Sequence, residues 1–139
     1  MITVRLGRGE IRGEEAVAWL SADYALIAPD AVLHLDSAAA WGAAIWRIGS
    51  GAWRLHLAGI ERLTAAEALE VGLADAEGDP IEWMAGRSEL ALASAAELIR
   101  HQGGDALERA EFARLFATGE PQTGLAAFLN KRRPEWRAR

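Results

Sequence analysis

Six tryptophans stand in a chain of 139 residues that contains no cysteine. A covered indole removes about 150–250 Å² from water, and one small domain has too little interior for six. Some are therefore expected at a subunit interface or in a ligand pocket. The lack of cysteine excludes a disulfide framework and a thiolate nucleophile. With 51% hydrophobic and 25% charged residues, the chain suits a globular domain and not a disordered one. No apolar run approaches the ~18–20 residues of a membrane span. The start, Met1-Ile-Thr-Val-Arg-Leu-Gly-Arg8, lacks the apolar core of a signal peptide. A cytoplasmic protein without membrane contact is expected. A net charge of −5 argues against a nucleic-acid partner, because phosphate binding needs a basic surface.

Short strands and helices alternate through the first half. Ile2 to Leu6 reads as a strand, and Gly7, Gly9 and Gly13 then punctuate a turn region around Glu10 and Arg12. Glu14 to Ala22 reads as a helix with Glu14 and Glu15 in its first turn, where the macrodipole favours them. Tyr24 to Ala28 and Ala31 to Leu35 read as short strands about the Pro29-Asp30 turn. Ser37 to Ala44 and Ile45 to Leu57 read as helical, with Asp36 a candidate N-cap. Gly59 to Leu63 is expected to be a connector. Thr64-Ala-Ala-Glu67 has the capping-box pattern for a helix over Ala65 to Val71, which Gly72 ends. Leu73 to Asp75 reads as a short extended piece. Three helices follow, over Glu89 to His101, Asp105 to Thr118 and Pro121 to Lys131, with Asp105 and Glu108 as an N-cap pair. Phe112, Leu115 and Phe116 have the helical spacing of core or interface residues. His34, His56 and His101 show no metal-ligand spacing, so no metal is expected.

Two segments carry a family resemblance. Thr64-Ala-Ala-Glu-Ala-Leu-Glu-Val-Gly-Leu-Ala-Asp75 is similar to the "sAxeAxxxGLvd" helix of the crotonase (enoyl-CoA hydratase/isomerase) superfamily. Glu111 to Trp136, with its "LFATGEPQTGLAAFLNKRRPEW" stretch, resembles that superfamily's C-terminal "lF.t.d..eG..aF.eKR.P.f" segment. Upstream, Leu20-Ser21-Ala22-Asp23 and Ile27-Ala28 match "laxD…iA", which puts Gly9 and Gly13 in the family's "NGxAxGGG" loop. The resemblance covers the whole chain, but the chain corresponds to about the C-terminal half of the family. It implies an α/β, helix-dominated, truncated crotonase-like fold. Residues 1–80 would form a partial core of short strands, the loop and helices, and residues 81–139 a helical oligomerisation region, together one compact unit.

In the family the glycine loop gives a backbone N–H to the thioester oxygen of an acyl-CoA as enolate charge develops. The resemblance carries that role to the Gly13–Glu14 backbone. Here Glu14 and Glu15 stand where the loop's second and third glycines would be, so a carboxylate lies beside the oxyanion position. The hydratases' two acid/base glutamates fall on Val17 and Ser37, leaving Asp36 or Glu14 as replacement acids. Of the fifteen Lys and Arg residues, Lys131 is the single lysine, and it falls on the "KR" motif. The resemblance assigns it, with Arg132, to the CoA phosphates; a plain reading makes it a cation at a helix C-terminus. Trp41, Trp46 and Trp53 lie where the family walls its acyl pocket, and packing or an interface also accounts for them.

The resemblance thus implies an enoyl-CoA hydratase/isomerase-type protein of fatty acid metabolism, acting on or binding an acyl-CoA thioester. It requires no cofactor other than that coenzyme A ester as substrate or ligand, and activity is expected to be impaired. The alternative is a non-catalytic, self-associating or partner-binding subunit derived from such an enzyme. Either way a homo-oligomer is expected, a trimer or hexamer, or pairing with a separate chain that supplies the N-terminal half.

Overall fold

The computed structural model describes residues 1–136. The chain divides into two compact units, one spanning Thr3–Trp83 and a helical one that begins at Met84.

The first unit runs β1 (Val4–Gly7), β2 (Glu10–Ile11), α1 (Gly13–Leu20), β3 (Tyr24–Ile27), β4 (Val32–His34), α2 (Ala38–Ile48), α3 (Ser50–Leu57), β5 (Arg62–Thr64), α4 (Ala65–Glu70) and β6 (Ala76–Glu77). The helix α5 (Pro80–Met84) follows. Strands β1, β3 and β6 form a parallel sheet, with Val4 opposite Tyr24 and Leu26 opposite Ala76. Asp23 fixes the edge of this register: its Oδ2 accepts from the Thr3 N–H at 2.7 Å and the Thr3 hydroxyl at 2.9 Å. A second sheet has β4 at its centre, parallel to β2 and antiparallel to β5.

Alternation along the second sheet sets what faces inward. Ile11, Leu33 and Leu63 are aligned across its strands and buried, whereas Glu10, His34, Arg62 and Thr64 face outward. Behind the sheet, Ala16, Ala40, Ala44, Ala52, Ala65 and Ala68 are all buried, so helices pack there through methyl groups and approach closely. Trp19 is the one large aromatic in this core, and its indole N–H donates to the Leu26 carbonyl at 2.7 Å. Gly7 is required beside it, because a side chain there would run into Ile11 and the Trp19 ring.

Arg47 locks the unit together. Its side chain is 8% exposed, and one guanidinium nitrogen donates to the carbonyls of Leu20 at 3.1 Å and Ala22 at 2.8 Å. The other pairs with Asp75, whose Oδ2 also accepts from the Ala25 N–H at 2.7 Å. One ion pair therefore ties α2, the end of α1, the start of β3 and the turn after α4.

The helical unit contains α6 (Glu89–Arg100), α7 (Asp105–Ala117) and α8 (Glu120–Leu129). Ser88 caps α6 by accepting from the Ala91 N–H at 3.1 Å, and it pairs with Glu120 at the start of α8. The buried Ser94 donates to Glu111 at 2.7 Å, and Arg114 holds the same carboxylate at 2.8 Å, joining α6 to α7. These two donors, Arg114 first, hold the Glu111 carboxyl below the usual carboxylate range.

Helix-dominated α/β architecture is found, and the capping box at Thr64 is complete: the Glu67 N–H reaches the Thr64 hydroxyl, and Glu67 accepts from the Thr64 N–H. Several local expectations are corrected. Gly59 to Leu63 is not only a connector, since its end pairs with β4 as β5. Leu73 to Asp75 is not the extended piece; the strand is Ala76–Glu77, positioned by its pairing with β3. The helical stretch Ile45 to Leu57 breaks at Gly49, which has φ of 59° and separates α2 from α3. Neither β2 nor α5 has enough length to show a period. Asp105 with Glu108 is not the N-cap pair of α7, because Gly104 holds the cap position without a side-chain bond. Phe112 and Phe116 are not core residues: they pack on each other at 4.7 Å and remain exposed. Trp46 and Trp53 are exposed as well, and only Trp19 of the six tryptophans is buried.

Candidate functional site

The glycine loop is built as its sequence requires. Gly9 and Gly13 have φ of 55° and 58°, in the left-handed region that side chains resist. Gly9 gives its carbonyl to the Val32 N–H at 2.8 Å, anchoring the loop to the start of β4. Gly13 then opens α1, with Arg12 extended at the cap and making no side-chain cap bond.

The missing cap comes from far along the chain. Asp36 Oδ1 accepts from the Gly13 N–H at 3.3 Å, and Oδ2 lies 3.6 Å from Arg12 Nε. An oxygen anion thus already sits on the first N–H of α1, where free amides and the helix dipole favour negative charge. Asp36 is not the N-cap of the following helix. Ser37 takes that position and accepts from the Ala40 N–H at 3.1 Å, which leaves Asp36 free for α1. Glu14 and Glu15 lie in the first turn of α1 with exposed side chains.

A second polar pair lies on the same sheet face. His34 Nε2 is hydrogen-bonded to the Glu10 carboxylate, and Arg62 is registered opposite His34 across β4 and β5. That bond to His34 is the main reason the Glu10 carboxyl is held below the ordinary carboxylate range, with the charges of His34, Arg62 and Arg12 adding to it. Asp36 follows His34 by two residues, so both belong to the outward side of this strand and its extension.

The structure therefore brings Gly13, Glu14 and Asp36 together around one helix start. Lys131 and Arg132 belong to the helical unit, exposed just beyond α8. There Lys131 has φ of 51°, and the N–H groups of Lys131 and Arg132 donate to the carbonyls of Phe128 at 3.1 Å and Ala127 at 3.0 Å. Its backbone closes a helix in the place glycine usually takes. The other histidines are placed differently. His56 stacks on Trp53 and meets the edge of Trp41, while His101 pairs with Glu97 one turn back. Among the described residues no cluster of three or more His, Asp or Glu could hold a metal, and no helix is long and apolar enough to cross a membrane.

Sequence reasoning did not find two of these features. Arg47 has one available signal: it stands in the apolar run Ala-Ile-Trp-Arg-Ile with no carboxylate three or four residues away, so any partner must be distant. The Glu10–His34 pair has none, because it depends on β2, two residues long.

Neither a protein-family model nor a curated protein matches the sequence. Solved structures do. DspI of Pseudomonas aeruginosa superposes with a TM-score of 0.68 at 28% identity, over 94% of this chain and 58% of its own. An enoyl-CoA hydratase from a Polaromonas species gives 0.64 at 25% identity, over 96% and 62%. An enoyl-CoA hydratase from Mycobacterium tuberculosis gives 0.71 at 21% identity, over 96% and 63%. The chain thus spans about 60% of the length of the structures it matches. With nearly all of its residues superposed on that portion, this chain has part of the fold seen in the enoyl-CoA hydratase/isomerase structures.

Proposed function

We propose that the chain binds an acyl-CoA thioester and stabilises its enolate at the start of α1, through the first-turn N–H groups of Gly13 and Glu14. The observation that carries this reading is the Asp36 carboxylate on the Gly13 N–H, an oxygen anion held where an enolate oxygen would be. Gly13 is left-handed, and a Cβ placed on it would meet no atom within 4 Å, so the space beside its Cα is open. Asp36, balanced by Arg12, is the carboxylate nearest the reacting atoms in this reading, and Glu14 is the second candidate acid. Lys131 and Arg132 are the proposed contacts for the CoA phosphates. No carboxylate stands at Val17 or Ser37, so hydration is expected to be weak. Calorimetric titration with butyryl-CoA and with free CoA tests the reading. Binding that requires the acyl ester, weakens in Gly13→Ala and is kept or strengthened in Asp36→Ala, which frees the Gly13 N–H, supports it. No binding of butyryl-CoA overturns it.

A second reading rests on a different observation. Trp46, Trp53, Phe112, Phe116 and Phe128 are exposed, far more aromatic surface than a soluble monomer needs. This favours a subunit that associates with itself, as a trimer or hexamer, or with a chain supplying further parts of the fold, and a place in the cytoplasm is proposed alongside it. Sedimentation equilibrium checks it, and a folded monomer at all concentrations refutes it.

A further inference from the structure

The enolate reading leaves one function unfilled: a group to take the α-proton. The positions where the resemblance places glutamates hold Val17 and Ser37, and neither can accept a proton at neutral pH. Sheet pairing has put another pair on the relevant face. Strand β2 lies parallel to β4 with Glu10 opposite Val32, which leaves the Glu10 carboxylate against His34 Nε2. Asp36, which holds the Gly13 N–H, is two residues beyond His34, about 7 Å along an extended chain.

We propose that His34 is the general base of this site and that Glu10 is its positioning residue. The proposal rests on the enolate reading and adds the residue that moves the proton. An ionised carboxylate can only accept, so Nε2 carries a hydrogen, and in the neutral form of the ring Nδ1 keeps the lone pair that takes the proton. Nδ1 has no hydrogen-bond partner among the described residues. The His34 side chain is 16% exposed, shielded enough to be held in one orientation and open enough to be reached. Glu10 is kept ionised by His34, Arg62 and Arg12, so the orientation persists wherever the site works. The charged groups around the pair are Glu10, bonded to the ring, Arg62, registered opposite His34 on β5, and Arg12, which acts on Glu10 and pairs with Asp36.

The step balances within the site. The α-carbon's proton passes to Nδ1, and the C–H electron pair forms the C=C bond of the enolate. The carbonyl π pair moves onto the thioester oxygen, beside the first-turn N–H groups of α1. The imidazolium rests against Glu10, and returning the proton restores the thioester. In heavy water the returned hydrogen is deuterium.

Exchange of the α-protons of butyryl-CoA, followed by NMR in heavy water, tests the assignment on the full chain. Wild type is expected to exchange above buffer. His34→Ala is expected to lower the rate about 10²–10⁴-fold, the range for a general base, and added imidazole is expected to restore part of it. Glu10→Gln is expected to slow exchange with butyryl-CoA affinity unchanged, and Glu10→Asp to recover part of the loss. Far-UV circular dichroism identifies a misfolded variant, in which case His34→Gln supplies the measurement. Exchange in the folded His34 variant at the wild-type rate overturns the assignment and leaves the enolate reading standing. Binding of butyryl-CoA without exchange by wild type overturns both.

Discussion

Replacing Arg47 with Met removes the ion pair that ties four segments of the first unit. The methionine keeps most of the apolar stem, so the change isolates the guanidinium. That group serves the carbonyls of Leu20 and Ala22 and the carboxylate of Asp75. Breaking a buried pair by deleting one partner costs about 3–5 kcal/mol. Two features lower the expectation toward 3. Asp75 is 30% exposed, so water can reach the abandoned carboxylate. Arg47 Nε is buried with no partner, a penalty of about 1–3 kcal/mol that the substitution relieves. A loss of about 3 kcal/mol should lower Tm by roughly 10 °C in a chain of this size. Urea unfolding should show the midpoint falling with the m-value unchanged. Asp75→Asn keeps an oxygen for the Ala25 N–H, and the double variant should show a coupling of at least about 1 kcal/mol. A loss under about 1 kcal/mol in Arg47→Met, or no coupling, would refute the view that this pair holds the unit together.

Three further outcomes are expected. Lys131→Gly should stabilise the helical unit by about 1 kcal/mol, because a side chain at φ of 51° carries strain that glycine lacks; amide exchange along α8 reads it, and a destabilised variant would contradict it. Thr64→Ala should cost about 1 kcal/mol by removing the complete capping box of α4, measured by chemical denaturation against Ala66→Ser, an exposed control. The carboxyls of Glu10, Glu67, Glu97 and Glu111 are all held below their ordinary value, by His34, Thr64, His101 and Arg114 respectively as leading causes. A depressed folded value means stability that is present above the unfolded carboxylate pKa and lost as pH falls through the folded one. The urea midpoint should therefore drop below about pH 4.5 and stay flat above it with respect to these groups, and a midpoint that rises on acidification would contradict the sign.

What the sequence discloses follows the range of the interactions involved. The capping box of α4 is legible because both of its partners lie within four residues, and the glycines at 9 and 13 because positive φ is a local demand. The motif from Thr64 to Asp75 is legible as a pattern, yet its last residue acts at a distance: Asp75 meets Arg47 and the Ala25 N–H. Strands of two or three residues leave no period to read, so β2 and β5 exist only because β4 offers them a ladder. That dependence decides the candidate site. Asp36 reads as a local cap because it precedes a helix, but Ser37 already fills that role, and the folded chain turns Asp36 back onto Gly13, 23 residues earlier. His34 reads as an isolated ring until β2 sets Glu10 beside it. Both site features are thus products of one small sheet whose inward face is Ile11, Leu33 and Leu63. Polar groups on its other face are held only as firmly as that apolar face is packed. A cavity at Leu33, the central inward residue, should therefore loosen the Glu10–His34 bond and the Asp36–Gly13 bond together, although Leu33 touches no ligand.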